Sequence, residues 1–259
     1  MKEFFRALGV VAANTLRELV RSKLLYNLLF FAVLLIGSSM FVAQLTIGQW
    51  DRVILDMGLA AIELSGVLIA VLIGVGLVAG EIERRTILPT LAKPIPRGGF
   101  LLGRYLGLLT MLAVNVLIMM LALAIVLRAA DYQVSSTVVA AAFLIFLELA
   151  LMAAAAMFFG SFTTPVLATA FSLAFFLIGH LLADLKTFRA RSESGLARTL
   201  TGVFYQLLPD LELFNLKSHA SNGLTPPQGF TPTAALYGCV YTALLLLLAI
   251  GLFSRRDLK

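Results

Sequence analysis

The chain has 259 residues, of which 60% are hydrophobic and only 13% are charged, and its mean hydropathy is +0.97. Soluble domains are about 45–50% apolar and about 25% charged, so this composition excludes a soluble globular protein. The net charge is +6, but no basic run is interleaved with exposed aromatic residues, which argues against binding of nucleic acid. Cys239 is the single cysteine, so neither an internal disulfide nor a cysteine zinc cluster can form.

The first 23 residues are amphipathic. Apolar side chains from Phe4 to Val20 recur near helical spacing, and polar ones such as Arg6 and Arg17 fall on the opposite side. The pattern predicts a helix over 1–23 that lies in the membrane interface. The alternative is a plain cytoplasmic extension of the first spanning helix.

Six apolar runs are each long enough to cross a bilayer, which takes about 20 helical residues per crossing. They cover 24–47, 58–79, 104–127, 137–160, 165–185 and 233–253. We therefore predict an all-α integral membrane protein with six transmembrane helices and one transmembrane domain over 1–259. With the N-terminus inside, thirteen Lys and Arg residues lie on the inner side and seven on the outer side. The positive-inside rule then predicts that both termini are cytoplasmic.

The outer loop, 186–232, joins the fifth and sixth runs. Leu196, Leu200, Phe204 and Leu208 recur at helical spacing before Pro209, which should end a helix. This pattern predicts an amphipathic helix on the outer leaflet. The residues after it, 221–232, are rich in turn formers and should be irregular.

Ionisable residues inside the spans are candidates for a translocation pathway or gate. Glu148 lies near the middle of the fourth run, where a carboxylate costs about 2.5–3.5 kcal/mol, so it must be protonated, paired or exposed to a wet cavity. For Glu63 and His180, hydrogen bonding between helices is the favoured alternative, because both lie nearer the outer interface. The depths of the three residues differ too much to predict a proton relay.

Small and sulfur-containing side chains have structural explanations. Gly99, Gly103 and Gly107 repeat every four residues, and a run of alanines covers 153–156, which predicts close helix packing. The methionines of the third run have no Cys or His beside them and are apolar filler. No metal site is predicted.

The inner connector between the second and third runs contains Pro89, Pro94 and Pro96 among charged residues. Prolines fix the backbone, so the segment suits a rigid strut that docks into the groove of a partner. The alternative is an ordinary polar loop that obeys the positive-inside rule.

A sequence motif covers the connector and continues into the start of the next helix. Its residues are Gly80, Glu81, Glu83, Thr86, Ile87, Leu91, Lys93, Pro94 and Arg97, then Gly103, Arg104 and Gly107. This pattern resembles the connector of ABC-2 type transporter permeases. The run 208–216 (LPDLELFNL) resembles the outer loop of the branch linked to maturation of multicopper enzymes, including nitrous oxide reductase.

The resemblance implies a homodimer of six-span subunits, each docked on a cytoplasmic ABC ATPase through the interfacial helix and a coupling helix at 81–97. The implied coupling residues are Glu81, Glu83, Arg84, Arg85, Thr86, Leu91, Lys93, Pro94 and Arg97. The residues that would contact a periplasmic partner are Phe204, Leu208, Pro209, Glu212, Phe214 and Asn215. The chain has no GxxxxGK[ST] loop, so ATP and Mg²⁺ are expected on the partner ATPase and no cofactor on this chain.

The predicted function is the permease subunit of an ATP-driven exporter in a bacterial or archaeal inner membrane. The alternative is a mechanotransmitter that passes ATPase motion to a periplasmic partner and moves no solute. A membrane enzyme is disfavoured, because the spans contain neither an HExxH helix nor a GxSxG elbow.

Overall fold

The computed structural model describes residues 2–45, 49–80, 97–182 and 208–255, and the regular structure in these ranges is helical. The helices are α1 (Lys2–Val20), α2 (Lys23–Gln44), α3 (Trp50–Val75), α4 (Arg97–Ala129), α5 (Ser136–Gly160), α6 (Pro165–His180), α7 (Lys217–Ser221) and α8 (Phe230–Arg255). A π-helical turn, Gly76–Gly80, continues α3, and a 3-10 turn, Leu211–Phe214, precedes α7.

Five of these helices are long and apolar enough to cross a membrane: α2, α3 with its π turn, α4, α5 and α8. The prediction of an all-helical, multi-pass membrane protein is therefore confirmed. Helix α6 is apolar but has only 16 residues, or about 24 Å, which is less than the roughly 30 Å of a bilayer core. The sixth crossing stays a prediction.

Two helices begin earlier than hydropathy indicated. Helix α3 begins at Trp50 rather than at residue 58, and α4 begins at Arg97 rather than at residue 104. In the added turns of α3, Asp51 and Arg52 lower the mean hydropathy, but Ile54 is buried against the bundle. Packing on one face of the helix therefore extends it beyond the apolar run.

Helices α3 and α5 form the centre of the bundle and pack against each other. The backbones approach closely at Gly74, where an added Cβ would lie 3.0 Å from the Cβ of Ala156. The outer helices α2, α4 and α8 expose large apolar side chains, including Phe30, Leu121 and Leu247. This arrangement fits a bundle whose outer surface faces lipid.

Helix α1 packs on the first half of α4. An added Cβ at Gly103 would lie 2.7 Å from the Cβ of Val11, and one at Gly107 would lie 2.6 Å from the Cβ of Thr15. The predicted helix-packing role of these two glycines is confirmed, and the buried alanines of α5 pack in the same way against α3. The placement of α1 in the membrane interface stays a prediction.

The bundle has two ends, which we name the α1 end and the loop end. At the α1 end, α3 finishes, α4 begins and α8 finishes: the guanidinium of Arg97 donates to the carbonyl of Ser254 at 3.1 Å. At the loop end lie the turn between α4 and α5 and the chain from 208 to 229, where the hydroxyl of Thr137 donates to the carbonyl of Leu224 at 3.4 Å.

Residues 208–221, here called the loop-end segment, insert between the helices. Leu211, Phe214 and Leu216 are fully or almost fully buried. Leu211 lies against Gly179 near the end of α6, and the ring of Phe214 lies against Gly238 of α8. The segment therefore fills the bundle where α6 stops. The turn that follows has positive φ at Gly223 and Gly229, and α8 begins at Phe230, slightly before the predicted end of the irregular stretch.

Candidate functional site

Four ionisable side chains meet where α3, α5 and α6 face the loop-end segment. Glu63 lies on α3, Glu148 on α5, His180 at the end of α6 and Lys217 at the start of α7. The Nε2 atom of His180 lies 3.3 Å from Oε1 of Glu63 and 3.6 Å from Oε1 of Glu148. The ammonium of Lys217 forms an ion pair with Oε2 of Glu63. We call these residues the charged cluster.

Local packing fixes the positions of the two carboxylates. One turn after Glu63, Gly66 lies against Leu149, the residue that follows Glu148, so α3 and α5 approach closely at this level. The side chain of Glu148 is only 2% exposed and that of Glu63 only 7%. Both carboxylates are therefore held away from water between the two central helices.

The imidazole of His180 is oriented by its own helix. Its Nδ1 atom lies 3.3 Å from the carbonyl oxygen of Phe176, one turn earlier, and its ring packs on the Phe176 ring at 4.6 Å between centroids. A hydrogen bond to a carbonyl requires the proton on Nδ1. The Nε2 atom is then directed at the two carboxylates.

The electrostatics of the charged cluster are dominated by burial. Two carboxylates against one ammonium leave the cluster one charge negative when the imidazole is neutral. Isolated buried charges are costly, so they are normally paired or bound to a cation. Within the described residues, Oε1 of Glu148 and Nε2 of His180 have no hydrogen-bond partner. One ligand atom from each of Glu63, Glu148 and His180 can be chosen so that all three lie within 4.8 Å of one another.

The structure brings together the three span residues that the sequence singled out. The predicted difference in depth, on which a proton relay was set aside, is wrong, because Nε2 of His180 lies within 3.6 Å of both carboxylates. The runs were treated as full crossings, whereas α6 ends at His180 after 16 residues, level with the middle of α5. Their role in a pathway or gate stays a prediction.

Lys217 was missed in the sequence because it resembles an ordinary loop cation. The signal that points to it is its position directly after the buried run from Phe214 to Leu216. A lysine that adjoins buried apolar residues needs an anionic partner, which here is Glu63.

The coupling residues fall almost entirely outside the described residues, because 81–96 are not described. Arg97 alone is described, at the start of α4 beside the end of α8. Close to it, the guanidinium of Arg104 pairs with the carboxylate of Glu18 at 2.7 Å, which ties α4 to α1.

The outer-loop residues are described except Phe204. Leu208 and Pro209 lead into the bundle, Phe214 is enclosed, and Glu212 is exposed and accepts a hydrogen bond from Asn215 at 2.8 Å. The predicted helix before Pro209 lies outside the described residues. Contact with a periplasmic partner stays a prediction.

The model of the ABC-2 family transporter protein matches residues 10–258 of the chain. A search of curated proteins gave no significant match. The family match covers most of α1 and all of α2 to α8, and it therefore includes the charged cluster and both ends of the bundle. The chain therefore belongs to the ABC-2 family of transporter proteins, as a membrane permease subunit of an ABC transporter.

Proposed function

We propose that this chain is the permease subunit of an ATP-driven exporter in a bacterial or archaeal inner membrane, and that its α1 end receives the motion of a cytoplasmic ABC ATPase. One observation carries the proposal. Gly80 and Arg97, which flank the connector, both lie at the α1 end, where α1 packs on α4. A displacement of the connector would therefore act directly on α3 and α4.

The contacts at the α1 end support a path for this motion. Arg104 links α4 to α1 through Glu18, and Arg97 links α4 to α8 through the carbonyl of Ser254. The π turn at Gly76–Gly80 packs on α5 and α6. Because α3 and α5 form the centre of the bundle, a shift of the π turn would propagate toward the charged cluster. ATP and Mg²⁺ belong on the ATPase in this scheme.

ATPase stimulation tests the coupling role. Charge reversal at Glu81 and Glu83, or deletion of 84–96, should abolish stimulation of the co-expressed ATPase while the permease still inserts. Asp51, on the first turn of α3, belongs to the loop end, so Asp51→Lys is the matched control and should retain stimulation. Normal stimulation after the deletion would contradict the coupling role.

Orientation is tested separately by cysteine labelling. Cys239 is exposed, so the background is Cys239→Ser. With both termini cytoplasmic, Lys93→Cys should react with a membrane-impermeant maleimide only after the membrane is permeabilised, whereas Asn222→Cys should react in intact cells. Labelling of the Lys93 position from outside would reverse the orientation and contradict the proposal.

A second copy of the chain is part of the proposed assembly. Helix α2 exposes Phe30, Phe31 and Phe41, which lie on the bundle surface and suit contact with lipid or with another protomer. Homodimer formation is checked by the mass of the permease–ATPase complex in lipid nanodiscs.

The loop end favours one alternative function, transmission of motion to a periplasmic partner without transport. Leu211 and Phe214 bury the loop-end segment among α5, α6 and α8, and Lys217 attaches it to α3. A helix shift would therefore move this segment. A periplasmic complex that is lost on removal of 195–216, with ATPase stimulation intact and no solute flux, would favour this alternative over export.

A further inference from the structure

We propose that Glu63, Glu148 and His180 form a binding site for a divalent metal cation of the zinc class. The proposal concerns the charged cluster alone and does not depend on what the chain transports. It begins from one electrostatic conflict: two carboxylate oxygens and an imidazole nitrogen face one another in a buried space. Acceptor atoms in such an arrangement repel unless a proton or a cation lies among them.

The hydrogen bonding of His180 favours a metal over a proton. Nδ1 is directed at the carbonyl of Phe176, which leaves Nε2 with a free lone pair. This is the arrangement found in metal-binding histidines, whose second nitrogen donates to a carbonyl or carboxylate. In the structure Nε2 makes no hydrogen bond to either glutamate, although Oε1 of each lies within 3.6 Å.

The distances fit metal coordination. Zinc bonds to nitrogen and oxygen are about 2.0–2.2 Å, so neighbouring ligand atoms of a tetrahedral site lie about 3.3–3.6 Å apart. The Nε2 atom of His180 is 3.3 Å from Oε1 of Glu63 and 3.6 Å from Oε1 of Glu148. One imidazole and two carboxylates are a ligand set that zinc accepts, with a fourth position for water.

Lys217 orients a ligand of this site. It pairs with Oε2 of Glu63, which leaves Oε1 directed at His180. The side chains of His180 and Lys217 are 20% and 21% exposed, so the cluster is not fully enclosed. Glu148 also indicates a bound ligand, because its side chain is only 2% exposed and its Oε1 atom, which lies beside His180, has no hydrogen-bond partner.

A metal at this position would join α3, α5 and α6 through one ion. The three ligands come from three helices, and no two are close in sequence. Bound zinc would therefore restrain separation of these three helices.

Metal binding is measured on the full-length chain, without a histidine tag, in lipid nanodiscs. The chain is equilibrated with Zn²⁺, desalted and analysed for metal content, and Co²⁺ serves as a spectroscopic probe of coordination. The cluster variants are Glu148→Gln and His180→Asn. The matched controls are Glu212→Gln, an exposed glutamate of the same end, and His219→Asn, the second histidine of the chain.

We expect one zinc ion per chain in the wild type and in both controls. Losing an outer-shell partner typically lowers metal affinity about 10–100-fold, so losing a ligand should lower the Zn²⁺ affinity of both cluster variants by at least that factor. The proposal is overturned if the wild type retains no zinc, or if the cluster variants retain as much as the controls.

A measurement on the wild type alone covers the case in which the variants fail to fold. Zn²⁺ should raise the midpoint of thermal unfolding relative to EDTA, because a ligand that binds only the folded state stabilises it. X-ray absorption of the zinc-loaded chain should show nitrogen and oxygen ligands with one imidazole. A spectrum with two imidazoles or with sulfur would place the metal elsewhere and reject the site.

Discussion

At Lys217, one ammonium group determines how Glu63 can remain charged inside the bundle. The two groups form an ion pair, and the side chain of Glu63 is 7% exposed. Removing one partner of a buried pair leaves an uncompensated charge, which costs more than removing both. Attachment of the loop-end segment to α3 therefore depends on the ion pair between Lys217 and Glu63.

A double-mutant cycle measures this dependence. Lys217→Met should lower stability by about 3 kcal/mol, at the lower end of the range for buried pairs because its side chain is 21% exposed. Adding Glu63→Gln should recover part of the loss, with a coupling energy of about 0.5–3 kcal/mol. The cycle is followed by SDS titration in mixed micelles, and additive effects of the two substitutions would contradict a direct pair.

At Gly107, close packing of α4 on α1 leaves no room for a larger side chain. An added Cβ would lie 2.6 Å from the Cβ of Thr15 and 2.8 Å from the carbonyl oxygen of Ala12, and the latter belongs to the backbone and cannot rotate away. Gly107→Ala should therefore separate α1 from α4 and cost about 1–3 kcal/mol, the usual cost of overpacking.

The control for this substitution is Gly37→Ala. Gly37 lies within α2 and has no atom within 4 Å of an added Cβ, so alanine should be neutral or stabilise the helix by up to about 1 kcal/mol. The two substitutions should shift the midpoint of thermal unfolding by different amounts or in opposite directions. Equal behaviour would show that α1 does not pack on α4 at this point.

Among the elements, the loop-end segment compensates for the short α6. Phe214 is fully buried, with its ring against Gly238 and near the ring of Tyr237. Phe214→Ala should destabilise the protein by about 3–5 kcal/mol and should release the segment to proteases. The control is Leu224→Ala, whose side chain is 56% exposed. Protease resistance of the Phe214→Ala variant at wild-type level would argue against a packed segment.

Element order was predictable from the sequence, because each long helix contains one apolar run with turn residues between runs. The sequence predicted that the glycines of α4 pack closely against another helix, but it did not predict that this helix is α1. The charged cluster was not predictable. Its formation depends on α6 ending at His180 and on Lys217 returning into the bundle, and hydropathy does not distinguish a short helix followed by a buried segment from one full crossing.

For the whole molecule, the two ends have different chemistry. The α1 end gathers the residues that flank the connector and the Glu18–Arg104 pair, whereas the loop end gathers the charged cluster. Helices α3 and α5 connect the two, and both are largely buried along their length. If nucleotide binding to the ATPase moves the α1 end, the helix arrangement at the loop end must change as well. Binding of nucleotide to the ATPase and binding of a ligand at the loop end should therefore be thermodynamically linked.

Linkage gives a quantitative prediction for zinc and nucleotide. If zinc holds α3, α5 and α6 together in one state of the cycle, nucleotide binding to the ATPase should change the Zn²⁺ affinity of the complex. Zinc must then change nucleotide affinity by the same factor, typically about 5–150-fold for coupled sites. Both affinities are measured by titration of the reconstituted permease–ATPase complex with Zn²⁺ and with a non-hydrolysable nucleotide. In the Glu148→Gln complex the effect of zinc on nucleotide binding should disappear. If zinc still changed nucleotide affinity in the Glu148→Gln complex, zinc would be acting on the ATPase. If nucleotide left the Zn²⁺ affinity of the wild-type complex unchanged, the two ends would not be coupled through the central helices.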